Sequence, residues 1–149
     1  MTKEILWYRR LENFKKAFAL FTRIVNQSEK DGQNEIIELA AILSFTQNFT
    51  LATDCLLKFF EDQGEIYLEP GKKIIRLAFR RGLIENGEIW MRMLETHKKE
   101  DTVFQKKIAQ EISKEIIENF YPELLKLCKK LIDRKSKHEE FYKKIKEAA

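Results

Sequence analysis

Aromatic, basic, acidic and imidazole groups crowd together at one place in the chain, Trp90-Met91-Arg92-Met93-Leu94-Glu95-Thr96-His97, followed by a polar stretch and Phe104. Histidine is the side chain suited to proton exchange near neutral pH. A guanidinium offers a phosphate a permanent, forked charge. Arg92, His97, Lys98 and Lys99 are therefore the candidate ligand-binding residues, with a phosphorylated or RNA ligand as the matching chemistry. The plainer reading is that a lone histidine in a last helical turn decorates a surface or complements the helix dipole. Arg92 and His97 stand five apart, and on one continuous helix they point roughly 140° away from each other.

No other stretch carries a chemical signature. The five glycines are scattered, with no phosphate-cradling loop among them, and there is no serine-nucleophile elbow or paired-histidine zinc motif. The inward-facing Glu-x-x-His pairs of a di-iron bundle are missing as well. Cys55 and Cys128 both fall among apolar residues at helical spacing, which predicts two buried, reduced thiols. Neither histidine forms a close pair with a thiol, so no metal and no cofactor is expected.

The elements that must position these residues read as helices. Trp7, Leu11, Phe14, Phe18, Phe21 and Val25 alternate steps of four and three, one apolar seam on a long helix. Around Gln27–Gln33 the pattern lapses through Ser28, Asp31 and Gly32, which reads as a loop. Ile42, Phe45, Phe49, Ala52, Leu56 and Phe59 repeat it on a second helix, about Asn34 to Gln63, with Gly64 as its C′ residue. Long helices joined by a short loop pack antiparallel. Gly64 to Gly71 reads as a connector pinned to the bundle by Ile66, Tyr67 and Leu68. A shorter helix, Lys72 to Arg81, buries Ile74, Ile75, Ala78 and Phe79 and stops at Gly82. Asn86 N-caps the helix that carries Trp90, Met93 and Leu94. Asp101 or Thr102 caps the next, with Phe104, Ile108, Ile112 and Ile116 on its apolar face. Tyr121-Pro122 breaks that helix, and Leu124, Leu127, Cys128 and Leu131 line the one that follows. The fold class is thus all-α, an antiparallel up-and-down bundle of about five helices. Residues 1–133 form the bundle domain, and 134–149 a charged helical extension that keeps His138, Phe141 and Ile145 at helical spacing.

Bulk properties agree. With 5 Gly and 2 Pro in 149 residues there is little material for the turns of a many-stranded β-fold. A net charge of +4 is mildly basic, and because Lys and Glu alternate along most of the chain it permits weak RNA or nucleotide contact without demanding it. The opening Met1-Thr2-Lys3-Glu4-Ile5 lacks an apolar core, and no run approaches the ~18–20 uncharged residues of a membrane span, so a cytoplasmic location without a membrane partner is expected.

Tyr8-Arg9-Arg10-Leu11-Glu12-Asn13-Phe14-Lys15-Lys16-Ala17 resembles the opening of the nucleotidyltransferase substrate-binding proteins, the HepT-like branch of the HEPN superfamily. The likeness continues through Phe49, Leu51-Ala52, Phe59 and Glu61-Asp62-Gln63-Gly64. It is strongest from Pro70 to Leu94, in Arg76-Leu77-Ala78-Phe79, Gly82-Leu83-Ile84 and Gly87-Glu88-Ile89-Trp90, and it includes the Tyr121-Pro122 turn. It covers roughly residues 7–132. The resemblance implies a small helical bundle that pairs with a minimal nucleotidyltransferase. Active members carry an arginine, four residues, a histidine, one residue and a tyrosine. The first two serve metal-independent RNA cleavage, and the tyrosine accepts AMP from the partner enzyme. Anchored on Trp90–Leu94, those positions fall on His97, Thr102 and Phe104, with Lys98 where an asparagine usually follows the arginine. Threonine cannot replace the imidazole in proton transfer, and Phe104 has no hydroxyl to modify. The second helix also departs, with Thr50-Leu51-Ala52-Thr53-Asp54 in place of a Glu-Leu-Ala-Trp-Lys run.

The expectation is a non-catalytic binding protein, homodimeric or a higher homo-oligomer, associated with a minimal nucleotidyltransferase in a toxin–antitoxin-like pair. Trp7 and Phe21 are candidate oligomer-interface residues, although such stripes usually face inward. The alternatives are an RNase toxin working through Arg92, His97 and Lys98, and an RNA- or nucleotide-binding module using Lys98, Lys99, Lys106 and Lys107.

Overall fold

A computed structural model describes residues 5–32, 34–99 and 106–148, the last stretch without the Lys106 side chain. Helix α1 spans Leu6–Asp31 and α2 spans Glu35–Asp62, and their pairing is the most extensive among the described residues. The stretch read as a loop from Gln27 is helical as far as Asp31, because Ser28 is buried on the same face and its hydroxyl donates to the Val25 carbonyl at 2.6 Å. All six seam residues of α1 are buried, Trp7 and Phe21 included, which removes these two aromatics as oligomer-interface candidates. The reason is local packing: Trp7 meets Phe59 edge-on at 5.0 Å, and Phe21 meets Tyr121 edge-on at 5.2 Å. The predicted α2 stripe is buried as well.

Asn34 N-caps α2, its side chain accepting the Ile37 N–H at 3.0 Å. At the other end Gly64, at φ 92°, closes the helix. Its N–H donates to the Glu61 carbonyl at 3.0 Å, and the Glu65 N–H reaches back to Phe60 at 3.0 Å. This turn throws the connector outward. Ile66 and Tyr67 are 71% and 89% exposed, so they do not pin it as expected; only Leu68 packs against the core.

Helix α3 (Lys72–Arg80) ends in the same kind of turn at Gly82, after which the Leu83 N–H donates to Ala78 at 2.9 Å. That turn folds Leu83 and Ile84 under the helix, where they are almost wholly buried. With Leu77 also inward, Phe79 is displaced to the rim and is 52% exposed, against the expected burial. Helix α4 (Gly87–Lys98) starts at Asn86, whose side chain accepts the Ile89 N–H at 3.2 Å.

Helix α5 (Lys106–Glu115) does not break at Tyr121-Pro122. It passes through one π-helical segment, Ile116–Phe120, into α6 (Tyr121–Ala148). Proline lacks an N–H and its ring collides with the carbonyl four residues back, here Glu118. The wider turn, with the Tyr121 N–H bonded to the Ile116 carbonyl, relieves that collision and keeps the axis running. Tyr121 then stacks on Phe18 at 5.1 Å and shares a 2.9 Å hydrogen bond with Thr22, tying α6 to α1. Counted as rods, the described residues form five helices and an all-α bundle.

Residues 134–148 continue α6. Phe141, Tyr142 and Ile145 are exposed, but His138 turns back to share a hydrogen bond through its Nδ1 with the Tyr8 hydroxyl. By length and composition α2 could cross a membrane, its most apolar window having a mean hydropathy of 1.2, which corrects the expectation that no segment reaches that composition. Half of that window is buried inside the bundle.

Candidate functional site

Helix α4 presents Trp90, Met93, Leu94 and His97 on one face by the spacing three, four and seven. The first three fill the core between α2 and α3, and His97 emerges at its edge in the last turn. There its Nε2 lies 3.0 Å from the Thr50 hydroxyl of α2, and its ring sits 5.0 Å from that of Phe49. Thr50 on α2 is therefore the group that holds the imidazole.

Arg92 goes elsewhere. Its Nη2 is 2.8 Å from Glu115 Oε1 on α5, and its Nη1 is 3.9 Å from Glu88 one turn back. The helix is unbroken from Gly87 to Lys98, so the angular separation read from the sequence holds: His97 faces α2 while Arg92 faces α5. The two residues do not converge on a shared point. Lys98 and Lys99 are exposed at the end of α4, where their charge complements the negative end of the helix dipole. Thr102 and Phe104, with the proposed caps Asp101 and Thr102, lie outside the described residues.

Thr50 and Glu115 were not foreseeable as partners, because each lies on another helix. The Glu88–Arg92 spacing of four was the one local signal. Arg10 Nε on α1 approaches Asp54 Oδ2 on α2 at 3.3 Å. That is ion-pair distance, but the N–H is not aligned for a hydrogen bond, and Arg10 Nε is buried without one among the described residues.

Cavities open away from His97. One of about 550 Å³ lies where the start of α1, the end of α2 and the extension of α6 meet, lined among others by Trp7, Asp62, Arg134 and His138. A second, of about 330 Å³, lies between α3 and α4. Beside the first, Lys135 Nζ stands 5.0 Å over the Tyr8 ring. Burial, with the nearby Glu139, raises the pKa of the Tyr8 phenol.

Both thiols are buried as expected. Cys55, with its Sγ 3.7 Å from the Trp7 carbonyl, is pushed from an ordinary 9.0 up to about 12, mainly by burial and then by the charge of Asp54. The unfolded chain ionises this thiol first. Its contribution to stability is therefore complete below pH 9.0 and drains away as the pH rises toward about 12. Urea unfolding from pH 8 to 10.5 is expected to show a steeper alkaline loss in the native chain than in Cys55→Ala.

A family model described as nucleotidyltransferase substrate binding protein like matches residues 9–133. The chain belongs to this family. That membership fits the HEPN placement, and the match runs from the first turn of α1 to within α6, taking in every element that positions His97 and Arg92. No curated protein matches this nucleotidyltransferase substrate-binding-like chain.

Proposed function

We propose that the chain is a non-catalytic binding subunit that associates with a minimal nucleotidyltransferase in the cytoplasm, as one half of a toxin–antitoxin-like pair. The observation that carries this reading is the divergence of Arg92 and His97. Metal-independent cleavage of a phosphodiester needs a cation and an acid–base group converging on one phosphate. Here the guanidinium is engaged by two carboxylates on one side of α4, and the imidazole is held by Thr50 on the other. The family membership supports the partner class, because members are described by their relation to a nucleotidyltransferase.

Self-association is part of the proposal, through a surface other than Trp7 and Phe21. Ile36, Leu39 and Leu43 are 80%, 44% and 71% exposed and lie on one face of α2 at steps of three and four. Between Glu38 and Asp54 this helix carries no charge, so two copies can meet face to face without burying an unpaired ion. On this reading the apolar residues of α2 serve the core and a partner copy rather than lipid. Size exclusion with light scattering is expected to give a dimer for the native chain and a monomer for Leu43→Glu.

The association itself is tested by mixing the chain with a minimal nucleotidyltransferase from the same genome and following co-elution. A joint peak with the summed mass is the expected result. A strict monomer that ignores the nucleotidyltransferase contradicts the proposal.

A further inference from the structure

Between Lys72 and Arg81 the chain has five cationic residues and no acid. Lys73 is answered by Glu69 at 3.4 Å and Arg81 by Glu65. Arg76 and Arg80, one turn apart, have no ion-pair partner among the described residues and are exposed. Phe79 lies between them in sequence, half exposed, its ring resting on the first turn of α4. A β-carbon at position 87 would stand 3.5 Å from the ring, an ordinary van der Waals contact, so the ring packs directly on the backbone there. The cavity of about 330 Å³ opens here, with Ile75, Phe79 and Met91 as its apolar walls and the two arginines at its rim. Glu88 also lines it, but its carboxylate is 3.9 Å from Arg92 and 84% exposed.

An exposed phenylalanine beside an apolar hollow costs solvation unless something covers it. Two unanswered guanidiniums at the rim select for carboxylates, which they can hold bidentately. The hollow takes one bulky aliphatic or aromatic side chain, the kind of anchor that carries most of the energy of an interface. A strand of RNA is the poorer match, because its affinity comes from rows of phosphate contacts and here, among the described residues, two unpaired arginines flank an apolar cleft.

We infer that the groove between α3 and α4 docks an acidic, amphipathic polypeptide segment of the nucleotidyltransferase partner, seating one apolar side chain between Phe79 and Met91 with flanking carboxylates on Arg76 and Arg80. This rests on the association proposed above. The test is isothermal titration of the full chain with the nucleotidyltransferase, using native protein, Arg76→Gln/Arg80→Gln, Arg76→Glu/Arg80→Glu, Phe79→Ser and the charge-matched control Lys143→Glu/Lys144→Glu. A short single-stranded RNA is titrated in parallel. The expected result is affinity weakened about tenfold by the glutamine pair, more by the glutamate pair, and about tenfold by Phe79→Ser, with the control unchanged. If native protein binds and the groove variants bind equally well, the groove assignment is overturned while the association stands. If native protein does not bind, both fall. RNA binding that is lost in the groove variants, with partner binding intact, also overturns it.

Discussion

Replacing Trp90 with alanine is expected to destabilise the protein by about 3–5 kcal/mol, a large share of the about 5–15 kcal/mol that holds a domain of this size folded. Trp90 is fully buried, the largest side chain in the core to be so, and it lies 6.2 Å from Phe49 between α4 and α2. Little nearby can collapse into the space, because Met93 and Phe49 are themselves fixed in the same layer. The loss reaches the site as well, since Trp90 sets the rotation of α4 that puts His97 on Thr50. Urea unfolding reads the effect as a lowered midpoint with an unchanged slope. Trp90→Phe makes an informative contrast. The indole N–H is buried without a hydrogen-bond partner among the described residues, so deleting it removes a desolvation cost that partly offsets the lost volume. The expected net cost is about 1–2 kcal/mol. Equal losses in the two variants would mean that volume does not set the cost here.

Asn48→Asp is expected to be nearly as damaging, by about 3 kcal/mol or more at neutral pH. Asn48 is fully buried, and its amide group donates to the Ser44 carbonyl at 2.7 Å and across the helix interface to Ala17 at 3.2 Å. An aspartate keeps the shape but brings a negative charge against two carbonyl oxygens, with no donor to offer either. Burial favours its protonated form, so the penalty is full at neutral pH and shrinks as the pH falls and the carboxyl regains a proton. Asn48→Ala keeps no charge and is expected to lose less, about 1–2 kcal/mol, with no comparable acid rescue. Unfolding curves at pH 7 and pH 4.5 separate the two variants. An Asn48→Asp protein no more stable, relative to native, at pH 4.5 than at pH 7 would refute the account.

These two positions also mark how much of the molecule was legible in advance. The α1 and α2 seams could be read because a 3.6-residue period sustained over many turns leaves one consistent face. The cap at Asn86 and the turn glycines at 64 and 82 were equally plain, since each answers a local backbone requirement. Legibility failed where distant packing decides. Phe79 continues the apolar spacing of α3, yet the return of Leu83 and Ile84 takes its place in the core. Pro122 reads as a break, but a π turn absorbs it, and no residue type announces a π turn. Asn48 sits among Thr46, Gln47 and Thr50, and nothing in these neighbours shows that Ala17 waits across the interface.

The candidate site was legible in its residue types but not in its geometry. Sequence spacing alone separated Arg92 from His97 by angle, and the unbroken α4 preserves that separation. What the spacing could not supply were the partners: Glu115 drawing the guanidinium toward α5, and Thr50 fixing the imidazole on α2. Without those contacts, two basic groups five residues apart remain candidates for one phosphate. With them, each has a separate neighbour, which is what supports the proposed binding role.

The most direct measurement is RNA cleavage by purified native protein beside His97→Ala under identical conditions. A binding subunit without catalysis predicts the same background-level cleavage from both. Cleavage well above background by the native chain, abolished in His97→Ala, would contradict it.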